Sequence, residues 1–261
     1  MRTEQDPAKR QAELAARLGA VRARIEAACA AAGREPGELT LIAVTKTYPA
    51  SDVLALAGLG LTDFGENRDQ EAAAKAATVL ASTRPGAPDR AAGQPVTWHF
   101  IGQLQTNKAR SVASYASVVH SVDRVRLARA LGAAARGAGR ELCCLVQVSL
   151  GDASAGGPGP ARDALARGGV RPAELAEVAA AIDAEEGLTL GGLMAVAPLR
   201  ADPRAAFAPL RELSATVRAV RPSASVISAG MSGDLEEAVA SGATHLRIGT
   251  ALLGDRRLPF R

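Results

Sequence analysis

Apolar residues recur along this chain in two rhythms. Between residues 5 and 33 they fall at Leu14, Leu18, Val21 and Ile25, the spacing of a helix with one buried face, and Gly33 marks its end. After that the pattern alternates. Short, almost continuously apolar runs at 39–45, 62–67, 98–102, 117–122, 141–150, 188–196, 224–228 and 244–248 predict strands. Helical spacing predicts helices at 50–58, 68–81, 106–115, 124–137, 172–185, 203–219 and 233–241, with a final turn from Thr250. Strands apolar throughout are covered on both faces, and strand–helix alternation builds right-handed parallel units. Eight such units predict a single α/β domain over 1–261, a (β/α)8 TIM barrel with an additional N-terminal helix. An open, doubly wound sheet is the runner-up, disfavoured because no Gly-x-Gly-x-x-Gly follows the first strand. The Gly/Pro-rich stretches 84–95 and 151–169 read as loops, the second as a flexible one.

Composition narrows the function classes. The net charge is +4, but its signs are mixed and no Lys/Arg cluster is interleaved with aromatics, so nucleic-acid binding is not expected. No run of about 18 apolar residues and no apolar signal core is present, which predicts a cytoplasmic protein without a membrane span. Cys29, Cys143 and Cys144 have neither disulfide nor metal-ligand spacing and read as small buried hydrophobes; no metal site is expected. The basic residues are mostly Arg. The four lysines are Lys9, Lys46, Lys75 and Lys108. Lysine can lose its proton and act as a nucleophile where arginine cannot.

In a barrel of this kind the chemistry sits at the C-terminal ends of the strands. There the chain places Lys46 after LIAVT, Asn67 after DFGE, Gly230, Met231 and Ser232 after the seventh strand, and Arg247, Gly249 and Thr250 at the eighth. SAGMSGDLEE and RIGT are both strand-to-helix turns. Their glycines, hydroxyls and open amides suit a phosphate between the last two loops, although Ser232 and Thr250 would each alone serve as ordinary helix caps. A lysine facing the same mouth points to an imine with a phosphorylated aldehyde, either pyridoxal phosphate or an aldolase-type substrate. Arg247 is placed to meet a pyridine nitrogen or the phosphate. Asn67 would lie near the ring, with Arg68 and Glu71 on the helix surface. His99, His120 and His245 sit in or beside apolar strands and read as core histidines.

The stretches AVTKTYPASDV (43–53), DFGENRDQEA (63–72), WHFIGQLQTNKAR (98–110), VHSVDR (119–124), GLMAVAP (192–198) and GMSGDLEEAVASGATHLRIGTALLG (230–254) resemble the pyridoxal phosphate homeostasis family, relatives of the alanine racemase N-terminal barrel. The resemblance runs in order over nearly the whole chain. It implies pyridoxal 5'-phosphate (PLP) held on Lys46 as an aldimine. It also implies phosphate contacts around Ser232, Gly249 and Thr250, with Arg247 and Asn67 nearby. Family members are thought to bind PLP and hand it over, to apo PLP-dependent enzymes among other takers, without an established reaction. Departures are Thr45 where Ser is common, Gln103 where Pro or His is common, Ala229 where a bulkier residue is usual, and a longer 151–169 loop. A racemase needs a second base opposite the lysine. The chain ends soon after the eighth strand, so no second domain is expected to supply it, and the tyrosines are Tyr48 and Tyr115. The expectation is a monomeric carrier, with a weak racemase or lyase as the alternative.

Overall fold

The structure, a computed structural model, describes residues 6–83, 95–151, 168–198 and 201–254. Eight strands close a barrel in sequence order: β1 Thr40–Val44, β2 Asp63–Glu66, β3 Thr97–Phe100, β4 Val118–Val122, β5 Leu142–Ser149, β6 Leu188–Val196, β7 Val226–Ser228 and β8 His245–Ile248. Every neighbouring pair is parallel, and β1 closes on β8 with Ile42 level with Arg247 and Ala43 level with Ile248. The barrel expected from the sequence is therefore present, and the open sheet is not.

The helices are α1 Pro7–Ala32, α2 Ala50–Gly58, α3 Asp69–Thr83, α4 Ala109–Tyr115, α5 Val125–Gly137, α6 Leu175–Asp183, α7 Pro203–Phe207, α8 Leu210–Val220, α9 Leu235–Ala240 and α10 Thr250–Leu253. Three expected helices are modified, the first being 106–115, which opens as a 3-10 turn over Thr106–Lys108 before α4. The segment from 172 opens as a 3-10 turn over Pro172–Glu174 before α6. The segment 203–219 splits into α7 and α8 at Pro209, which lacks an amide proton and crowds the preceding turn. Residue 5, most of loop 84–95 and residues 152–167 of the second loop lie outside the described residues. Val170, just past that loop, forms a bridge to Val148 of β5.

Helix α1 lies across the closure of the barrel. Its Asp6 cap accepts from the Ala8 amide, and Leu14, Leu18, Val21 and Ile25 are buried as their spacing requires. Arg10 grips both carboxylate oxygens of Asp52 in α2, at 3.2 and 2.7 Å, and donates to the Leu253 carbonyl at 3.1 Å. One side chain thus ties the first and last helices of the barrel to α1. Among the described residues no helix is long and apolar enough to cross a membrane.

Candidate functional site

Strand side chains alternate between the barrel lumen and the helix layer. A Cβ placed on Gly65 would touch the side chains of Ile42 and Val44, so even-numbered positions of β1 face inward. Lys46, half-buried and two residues beyond the strand, has the same parity. The chain then turns sharply: the Tyr48 amide donates to the Thr45 carbonyl at 3.0 Å, and Thr47 takes a φ of 70°. This is the geometry of a type II turn, whose third position favours glycine or asparagine. Thr47 is the one non-glycine residue with positive φ among the described residues, and it is β-branched. Strain of this kind concentrates where the surroundings enforce it.

Beneath the turn, on the outer face, lies a buried polar cluster. The Lys75 ammonium donates to the Thr45 carbonyl at 2.8 Å, Glu66 Oε1 at 2.5 Å and Glu71 Oε1 at 3.1 Å. Thr45 Oγ1 also donates to Glu66 Oε1, at 2.6 Å, and the Thr47 amide donates to Glu71 Oε1 at 2.5 Å. Burial raises the pKa of Glu66 more than Lys75 lowers it. Glu71, expected on the helix surface, instead turns towards the Lys46 loop; Arg68 is exposed as expected.

The loops after β7 and β8 meet through Ser232, whose Oγ accepts from the Ala251 amide at 3.2 Å. Gly249 lies one step past β8, and a Cβ there would come within 3.4 Å of the Val44 carbonyl. The turn after β8 thus lies against the end of β1 at ordinary contact distance. Thr250 opens α10 and is exposed. Gly230 has a local reason to be glycine: its φ is 92°, and a Cβ would strike Ala238 Cβ at 2.7 Å and Leu246 Cδ2 at 2.9 Å. The Met231 amide donates to Asp234 Oδ1 at 2.5 Å, so that amide is already engaged. Asn67 follows β2, next to the Lys46 turn, and lines a cavity of about 720 Å³ together with Phe100 and Leu104.

Arg247 is buried in the lumen, where Nη1 donates to Ser228 Oγ at 2.7 Å and Nη2 to the Ala195 carbonyl at 2.9 Å. Burial lowers its pKa to about 10. A hydrogen-bonded chain leads away from it. Ser228 Oγ lies 2.9 Å from His120 Nδ1, His120 Nε2 lies 2.8 Å from His99 Nδ1, and His99 Nε2 lies 2.9 Å from Asp63 Oδ1. His120 on β4 reaches Ser228 on β7 only through the lumen. The pKa of His120 is pushed well below its ordinary value by burial, then by the neighbouring His99 and Arg247. Burial works to raise Asp63, but the bonds from His99 and Thr62 together outweigh it and hold the carboxyl below its ordinary range. Because arginine only donates and a carboxylate only accepts, one choice of tautomers runs every bond in the same direction. Arg247 donates to Ser228, Ser228 to His120, His120 to His99, and His99 to Asp63.

The structure thus brings Lys46, Ser232, Arg247, Gly249 and Thr250 to the β7–β8–β1 side of one mouth, with Gly230 packed behind, Met231 exposed beside it and Asn67 at the end of the adjacent β2. Sequence reasoning missed the lumen chain and the Lys75 cluster. The histidines were visible only as period-two partners of buried positions in β3 and β4, and Lys75 only as one of four lysines.

The chain belongs to the alanine racemase N-terminal domain family, whose pattern matches residues 16–257. More narrowly, it is similar to proteins named pyridoxal phosphate homeostasis protein. That of Mycobacterium tuberculosis is 43% identical, covering 95% of each chain. That of Pseudomonas aeruginosa is 41% identical, covering 93% of this chain and 96% of the relative. Among solved structures, PipY of Synechococcus elongatus with PLP bound matches at TM-score 0.73 and 33% identity, over 92% of this chain and all of that one. The alanine racemase of Corynebacterium glutamicum shares the fold at TM-score 0.63 and 14% identity, over 96% of this chain and 62% of that one.

Proposed function

We propose that this protein holds PLP at the C-terminal mouth of the barrel, bound covalently through Lys46, and serves as a carrier that keeps the PLP pool in balance. The observation that carries the reading is the convergence of a lumen-facing lysine, on a strained turn, with the Ser232-bridged loops after β7 and β8. When bound, PLP supplies an aldehyde, which joins a primary amine with release of water. Lys46 provides the amine. Ser232, Thr250 and the Gly249 backbone surround the phosphate. Arg247, below them in the lumen, would meet the ring nitrogen or the phosphate; a guanidinium only donates, so at the nitrogen it would keep the ring unprotonated and a weak electron sink.

The tyrosines favour a carrier over an enzyme. The Tyr48 hydroxyl donates to the Gly254 carbonyl at 2.8 Å, and its ring lies 6.0 Å from the Arg10 guanidinium. Tyr48 is thereby drawn to the rim rather than poised opposite Lys46. Burial pushes the Tyr115 phenol well above its ordinary value, which makes it a poor base. We extend the reading to a cytoplasmic monomer that gives up PLP to apo-enzymes. The test is the absorption spectrum of the purified protein before and after borohydride, followed by peptide mapping. A visible band that reduction fixes onto Lys46 is expected. A colourless protein that stays so after PLP is added would return Lys46 to an ordinary strand-end lysine.

A further inference from the structure

Lys75 sits in α3 with a side chain only 4% exposed, and nothing in the PLP reading uses it. A lysine ammonium has three donors. Here each has one acceptor: Thr45 carbonyl, Glu66 and Glu71. These three partners also hold the turn that carries Lys46. Thr45 is fixed through its amide to the Gly65 carbonyl, through its carbonyl to Lys75 and Tyr48, and through its hydroxyl to Glu66. The Thr47 amide is fixed to Glu71. The backbone of the turn at Thr45 and Thr47 is thus anchored through the Lys75 cluster, while the Tyr48 side chain is held separately by the Gly254 carbonyl. The cluster pays for itself poorly as a stability device, because burying a carboxylate and an ammonium is expensive and Glu66 Oε2 has no partner among the described residues. What it does hold is Thr47 at a φ that a β-branched residue avoids.

We propose that Lys75 is a positioning residue for Lys46: with Glu66 and Glu71 it clamps the 45–48 turn in its strained form and so keeps the Lys46 amine aimed into the mouth. The proposal rests on the PLP reading and adds to it. An arginine at 75 would not substitute, since a planar fork cannot meet three acceptors arranged around one point. Released from the clamp, Thr47 relaxes to negative φ, the peptide plane between Lys46 and Thr47 rotates, and the amine leaves the lumen axis. Strain at a residue of this type corresponds to about a tenfold bias, or about 1.4 kcal/mol.

The test uses Lys75→Met with Glu66→Gln, which removes the pair without leaving a buried charge alone. In the PLP-free protein, amide hydrogen exchange at Thr47 and Tyr48 should speed up about tenfold. Capture of PLP on Lys46, read as the borohydride-fixed fraction across a PLP titration, should weaken about tenfold. Adding Thr47→Gly should restore capture to within about threefold of the wild type, because glycine holds a positive φ without the clamp. A residue with a merely structural role predicts no such rescue. Unchanged capture in the folded double variant, or a triple variant no better than the double, overturns the proposal. Should the double variant fail to fold, Glu71→Ala removes the Thr47 contact at a part-exposed position. An approximately threefold weakening supports the clamp, and unchanged capture overturns it. If the wild type captures no PLP, the PLP reading falls, while amide exchange still decides whether Lys75 holds the turn.

Discussion

Ser228→Ala cuts the lumen chain at its centre. The Ser228 hydroxyl accepts from Arg247 at 2.7 Å and donates to His120 at 2.9 Å, and all three groups are buried. Alanine leaves Arg247 Nη1 and His120 Nδ1 facing one another with no group between them. A buried polar group without a partner costs about 1–3 kcal/mol, and more where one is charged. Arg247 keeps its bond to Ala195, so the expected loss is about 3 kcal/mol. The molecule supplies its own control. Ser121 is just as buried, but its hydroxyl has no partner. Ser121→Ala removes the same atom and should be neutral or slightly stabilising. Urea unfolding of both variants beside the wild type, followed by circular dichroism, isolates the chain from the packing change common to both. Two variants with midpoints within experimental error of each other would refute the account of the lumen as a continuous hydrogen-bonded chain.

Acid should weaken the fold through its buried histidines. His245 is held at about 4, first by burial and then by the charges of His99 and Arg247. Its pKa is lower folded than unfolded, so its full contribution is present above about pH 6.5 and is lost as pH falls from there towards 4. At about 1.4 kcal/mol per pH unit the loss is roughly 3 kcal/mol, and His120 adds to it in the same direction; stability measured flat between pH 7 and 4.5 would contradict this. Gly230→Ala should destabilise by about 2–4 kcal/mol in the same urea assay, since the new methyl meets Ala238 at 2.7 Å on a backbone with φ of 92°.

Much of this could be read from the chain alone, for a physical reason. Lys46, Ser232 and Gly249–Thr250 were legible because each stands where an apolar run meets a turn, and one residue's neighbours suffice to see it. The split at Pro209 was legible too, and reading 203–219 as one helix ignored it. The lumen chain was not legible. It joins β2, β3, β4, β7 and β8, and no local spacing relates Asp63 to Ser228; only barrel closure brings them together. Lys75 was hidden differently. In an Ala-rich helix a single lysine reads as the solvated face, and only the return of β1 and β2 beneath α3 makes it a buried one.

The lumen chain has one more property. Its four bonds all point the same way, so their dipoles add instead of cancelling. Their hydrogens point at Asp63, at the start of β2 on the opposite face, and so partly offset the larger separation of formal charge, in which the Arg247 guanidinium, under the mouth, is the positive end and the Asp63 carboxylate the negative one. Enclosed by strands, this field is poorly screened by salt. The barrel therefore has an electrical axis that its modest net charge conceals, and an anion arriving from solution is drawn to one end of it before it touches any residue.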